Sequence, residues 1–178
     1  GRMYYSNWSG MSDIANVIQI QRGLGASKLA ISSVGGTVNF VMKSAEKNRG
    51  GFIYQGFAND NYLKSTVSYD TGMNENGWAT SLLFTHWQGD GYAEGTYGQG
   101  QTYFVSIGYK ANDKHSFNFL LTGAPQNHDE QFSQSIQSFI DKGIKFNDNI
   151  GYVGNVYKTE ETNFYHKPVF NFSWDYNI

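Results

Sequence analysis

At 178 residues and a formal net charge of −2, the chain is long enough for one domain with a sizeable core and shows no Lys/Arg cluster of the kind that holds nucleic acid. Aromatic residues reach 17% against 16% charged, with 21 glycines and two prolines, a balance that favours strands separated by many turns. The absence of cysteine excludes disulfides, thiol catalysis and CxxC zinc sites, and no run of 18 apolar residues offers a membrane helix. A membrane β-barrel stays open, because it needs only about ten alternating residues per strand.

The chain opens inside "GRMYYSNWSG" and ends at "WDYNI" within a strand-like pattern, so both ends read as cut. Residues 17–21 and 37–43 alternate as two short strands, the first with Ile18 and Ile20 on one side and Arg22 falling on that same side, the second with Val38, Phe40 and Met42. Between them Gly23, Gly25, Gly35 and Gly36 bracket "ASKLAISSV", which has room for one helical turn at most. The polar run "KSAEKNRGG" reads as a linker.

After Gly51 the pattern changes to repeated strands, expected over 52–58, 62–70, 78–87, 102–110, 116–123 and 168–176. The connections are Asn59-Asp60-Asn61, "TGMNENG", a glycine-rich loop around "GDGYAEGTYGQG", "ANDKH", and a long segment over 125–167. Beyond the first turn, short and long connections alternate, as expected for strands crossing a slab with one plain and one elaborate side.

In four of these strands every charged residue falls on the polar face: Lys64 and Asp70 oppose Leu63, Val67 and Tyr69; Lys110 opposes Tyr103, Val105, Ile107 and Tyr109; Asp175 opposes Phe170, Phe172, Trp174 and Tyr176. The fourth strand, with Phe117, Phe119 and Leu121 on one side, has only Asn118 and Thr122 on the other. A membrane barrel requires this segregation, since a lipid-facing Lys or Arg at the midplane costs about 2–4 kcal/mol. A soluble β-sandwich also alternates, with its apolar face inward, and alternation alone does not separate the two. Tyr and Trp at the strand ends (Tyr62, Tyr69, Trp78, Trp87, Tyr103, Tyr109, Trp174, Tyr176) lean toward a barrel, because these side chains settle at membrane interfaces.

The segment "NHDEQFSQSIQSFIDKG" has helical periodicity, with Phe132, Ile136, Phe139 and Ile140 on one face, Asn127 as expected N-cap, Asp129 and Glu130 in the first turn, and Lys142-Gly143 at the end. This apolar face is expected to pack on neighbouring loops. Trp87, Asp90, Tyr92, Glu94 and Tyr97, with His128, form the candidate ligand-contacting set, since they combine aromatic platforms with hydrogen-bonding groups. A tight Gly-Asp-Gly turn with interfacial aromatics explains the same residues without a ligand. His86, His115, His128 and His166 lack metal-ligand spacing, no cofactor motif is present, and nucleophile-elbow and P-loop signatures are missing, so neither a metal nor an enzyme is expected. Of the four histidines only His86 falls within a well-defined strand, and no serine is placed to use it as a catalytic base.

"IQIQRGLGASKLAISSVGGTVNFVMKS" resembles the C-terminal part of the plug domain of TonB-dependent outer-membrane receptors, through Arg22, Gly23, Leu29, Ser33, Gly35, Gly36, Val38 and Asn39. The subsequent order of polar linker and antiparallel strands, with "GDGY" in an outer loop and "TGAPQ" leaving a strand, is similar to the same family. Leu29-Ala30-Ile31 departs from that family's commoner Leu-Tyr-Gly and leaves the substrate branch open. The resemblance implies an all-β fold: residues 1–48 as the end of a plug, and 49–178 as the first six or so strands of a 22-stranded antiparallel transmembrane barrel, with one short helix in an extracellular loop. It also implies an outer-membrane location in a Gram-negative bacterium and uptake of a bulky nutrient such as a siderophore, oligosaccharide or peptide. The implied partners are the inner-membrane TonB complex, outer-membrane lipid and the nutrient, with room for a surface lipoprotein. Arg22 would pair with acidic groups on the barrel wall, their position expected beyond residue 178. A soluble β-sandwich binding module is the alternative.

Overall fold

The computed structural model describes residues 8, 10–23 and 35–177. Within them the chain is mostly strand, and every strand pairing is antiparallel. The N-terminal segment holds a one-turn helix α1 (Met11–Ile14), then β1 (Val17–Gln21) and β2 (Thr37–Val41), which pair with each other, and a 3₁₀ turn over Ser44–Glu46.

The remainder is a sheet built from β3 (Gly50–Phe57), β4 (Leu63–Asp70), β5 (Trp78–Asp90), β6 (Tyr97–Lys110), β7 (His115–Gly123), β8 (Gln126–Asp129), β11 (Thr162–Tyr165) and β12 (Val169–Tyr176). Between β8 and β11 lie a short helix α2 (Ile136–Lys142) and a small hairpin of β9 (Ile150–Val153) and β10 (Val156–Thr159). β7 and β8 are one strand interrupted at Pro125. Tyr103 pairs with Gly123 and Gly100 with Gln126, so the register against β6 runs on without a slip. Gln101 N donates to Pro125 O at 2.9 Å, but proline has no N–H to return the bond. β11 and β12 are likewise continuous in register against β8 and β7, across Pro168. The sheet is therefore an up-and-down meander of six long strands, open at the β3 edge and at the β11–β12 edge.

All six expected strands are present, with three corrections to the reading around them. β5 and β6 extend to Asp90 and back to Tyr97, so the expected glycine-rich loop shrinks to residues 91–96. Gly98 and Gly100 mimic a turn in the sequence, whereas in the structure they make room for Trp87: a Cβ at Gly100 would lie 2.6 Å from the indole nitrogen. The expected helix starts later in the chain, capped by Ser135 rather than Asn127. Residues 126–129 pair with β11, which takes Asn127 into the ladder, and Ser135 Oγ accepts from Ser138 N at 3.1 Å. Finally, the expected linker is packed rather than free. Ser44 is fully buried, and the turn approaches the sheet over Gly108, where a Cβ would lie 3.1 Å from Ala45.

The two faces of the sheet differ in an unusual sense. One carries Thr66, Ser68, Ser81, Leu83, Thr85, Thr102, Phe104, Ser106, Asn118, Leu120 and Thr122, all buried and mostly polar or small. The N-terminal segment covers it: Ile14 and Met42 complete a compact core with Leu83, Phe104 and Leu120. Ser106 Oγ donates to Asn118 Oδ1 at 3.1 Å and sits 3.3 Å from Ser44 Oγ, which donates to Ala79 O at 3.4 Å. The opposite face carries Val67, Leu82, Phe84, Phe170, Phe172, Trp174 and Tyr176, all exposed, and nothing among the described residues packs over it. On it Trp78, Tyr109, Phe117 and Trp174 stack strand to strand, with ring centres 4.4, 6.4 and 6.4 Å apart.

Candidate functional site

The connections at one end of the sheet are the tight turns 71–77 and 111–114. Those at the other end, residues 58–62, 91–96 and 130–161, meet in a rim. Asp60 and Asn61 stand at φ 54° and 55°, the left-handed region that Asp and Asn enter most readily after glycine, and this folds the chain back between β3 and β4. Asp60 O accepts from Asp90 N at 2.8 Å, and Asn61 Nδ2 donates to Asp90 Oδ2 at 2.6 Å, tying the first turn to the end of β5.

Lys145 joins all three connections. Its Nζ pairs with Asp60 Oδ1 at 3.3 Å and lies 5.4 Å from the Tyr92 ring centre, while its carbonyl accepts from Glu94 N at 2.8 Å. Asn147, fully buried, donates from Nδ2 to Glu94 O at 3.0 Å and accepts from Asn149 N at 3.1 Å. Thr159 Oγ1 donates to Glu130 O at 2.9 Å and fastens the β9–β10 hairpin. The long connection is thus fixed by buried side-chain amide and hydroxyl groups more than by apolar packing. α2 buries nothing fully: Ile136 and Ile140 are exposed, which corrects the expectation that its apolar face packs on neighbouring loops.

These contacts leave a groove of two adjoining lobes, about 440 Å³ and 320 Å³. Both are lined by Asp90, Tyr92, Tyr97 and Asp129; the larger adds Asp60, Glu94, Lys145, Tyr157 and Lys158, the smaller Tyr62, Trp87, His128 and Gln131. All six candidate ligand-contacting residues therefore line one groove. Only Tyr92 and Glu94 are true loop residues, because Trp87 and Asp90 lie in β5, Tyr97 in β6 and His128 in β8. Asp60, Asp129, Lys145, Tyr157 and Lys158 were not legible as site residues. Lys145 and Tyr157 reach the groove through contacts 85 residues away in sequence, as for Lys145 and Asp60, or through a small hairpin with no local signature. No group of three or more His, Asp or Glu among the described residues is placed to hold a metal ion. His86 lies on the exposed apolar face between two glutamines, its Nε2 3.1 Å from Gln88 Oε1 and its Nδ1 3.3 Å from Gln101 Nε2.

The N-terminal motif residues lie in and around the β1–β2 pair. Gly23 and Gly36 have φ of 71° and 102°, and a Cβ at Gly36 would fall 2.2 Å from Gln21 O, so that position accepts only glycine. Gly35 precedes it in the turn that enters β2. Asn39 Nδ2 donates to Gln19 Oε1 at 3.1 Å, and Asn39 lines a cavity of about 350 Å³ between β2 and the covered face of β7 and β12. Arg22 is exposed and has no ion-pair partner among the described residues. Leu29 and Ser33 lie outside the described residues. The ion pairs that do join segment and sheet are Asp13–Lys64 at 2.9 Å, Lys43–Asp175 at 2.9 Å and Lys47–Asp70 at 3.3 Å.

Comparison with protein-family models, with curated proteins and with solved structures yields no match in any of the three.

Proposed function

We propose that the chain is part of a TonB-dependent outer-membrane receptor of a Gram-negative bacterium: the end of a plug, residues 1–48, followed by the first strands of a 22-stranded barrel over 49–178. The whole receptor takes up a bulky nutrient with energy relayed by the inner-membrane TonB complex. The observation that carries this reading is the inversion of the sheet. Its small and polar face is covered by the N-terminal segment, and its aromatic face is bare. A soluble β-sandwich would turn the aromatic face inward against a second sheet. In lipid the bare face is the solvated one, the Trp78–Trp174 ladder takes the place of an interfacial girdle, and the charges of β4, β6 and β12 point away from the acyl chains.

Six strands with two open edges leave backbone groups without partners, which hydrocarbon does not tolerate, so the function belongs to a closed barrel that this sheet helps to build. In that barrel the tight turns face the periplasm and the rim faces outward. The three segment-to-sheet ion pairs then seat the plug on the wall, and the groove lies where incoming nutrient first meets the receptor. The test is the behaviour of the intact protein. It is expected to fractionate with outer membranes and to need detergent for a monodisperse state; a monodisperse, cooperatively melting species without detergent would sink the reading.

A further inference from the structure

We propose that the rim groove binds a neutral polyhydroxylated ligand, an oligosaccharide, with Tyr92 and Tyr157 as stacking platforms and Asp90, Glu94 and Asp129 as hydroxyl acceptors. This names the substrate class for the uptake reading above and rests on that reading for the transport step after capture. Four observations favour this chemistry. Tyr92 and Tyr157 are 58% and 55% exposed, so each presents a large apolar ring surface to the groove they line. Much of the hydrogen-bonding capacity is unspent: among the described residues Asp90 accepts one side-chain bond, from Asn61, Asp129 one, from Thr162, and the Glu94 carboxylate none, although each can accept about four.

Charge decides against the anionic classes. The larger lobe holds four carboxylates and two ammonium groups, a surplus that repels anionic chelates and phosphorylated ligands. At the Asp60–Tyr92 end a cationic ligand meets Lys145 Nζ, which already fills the point that both residues face. The two lobes share the wall formed by Asp90, Tyr92, Tyr97 and Asp129, so a ligand with repeated units can occupy both at once.

The experiment uses the intact protein in detergent against an array of neutral oligosaccharides, with polygalacturonate, a ferric tris-catecholate and a Lys/Arg-rich peptide as the competing classes. The expected result is tightest binding to a neutral oligosaccharide, weakened about tenfold by Tyr92→Ala and by Tyr157→Ala and left unchanged by Ile140→Ala on the exposed face of α2. Tightest binding to the chelate, the peptide or the polyanion, or no retention on the array, overturns the oligosaccharide assignment and leaves the uptake reading standing. Oligosaccharide binding by a protein that is monodisperse without detergent would do the opposite.

Discussion

The two faces of the six-stranded sheet come from the same strands in alternation, yet they solve opposite problems. Phe104 and Val105 are neighbours on β6: Phe104 is 1% exposed beneath the N-terminal segment, whereas Val105 belongs to the bare aromatic face. On the covered side, small polar groups let another part of the chain come close and bond, as Ser44 does over Gly108 and beside Ser106. On the bare side, rings interact along the sheet rather than away from it. Apolar residues mark an inside only when water is the surroundings, and the membrane setting proposed above would account for their placement on the bare face.

The largest expected effect that probes this contrast is Phe104→Ala, which should lower stability by about 3–5 kcal/mol by opening a cavity beneath Ile14. Val105→Ala should cost clearly less, and equal shifts of the urea midpoint in detergent would erase the distinction between the faces. Next comes Leu82→Arg on the bare face, expected to cost about 2–4 kcal/mol and to impair membrane assembly. In water the same exposed substitution would fall within about 0.5 kcal/mol, so membrane yield and midpoint together sharpen the comparison. Ser106→Ala should cost about 1 kcal/mol through the lost bond to buried Asn118, read from the same urea titration.

Smaller still is Lys64→Met, whose pair with Asp13 joins segment to sheet with both side chains about a quarter exposed. A loss of up to about 1 kcal/mol that fades at high salt is expected, and a salt-independent loss would assign Lys64 a packing role instead. The least effect belongs to Asp113 in the turn 111–114, whose carboxyl is held below the usual carboxylate range by its hydrogen bond to Lys110 and by that residue's charge. Its folded value is the lower one, so any contribution is present above about pH 4 and is lost as pH falls through that lowered value. Asp113→Asn should leave the melting temperature nearly unchanged at neutral pH and remove whatever acid dependence this turn adds.

The strands and the assignment of charges to one face were legible because period-two alternation is local and holds through β4, β6, β7 and β12. What local pattern could not tell was which face is covered, since that depends on the N-terminal segment lying across Leu83, Phe104 and Leu120. The helix start was misplaced for a related reason: Asn127 has good capping chemistry, but pairing with Phe164, far along the chain, claims it for a strand. In the groove, Trp87, Asp90, Tyr92, Glu94, Tyr97 and His128 could be picked out by residue type, whereas Lys145 and Tyr157 arrive by tertiary folding alone.

The chain's only two prolines, Pro125 and Pro168, stand on adjacent strands, within a few rungs of one another, between the aromatic band and the rim. Each removes an amide donor without shifting the register, so the ladder loses a donor at that level while its pattern above and below stays in step. A ladder short of two donors opens more readily at that level, so amide protons should exchange faster along that line than in the band beneath it.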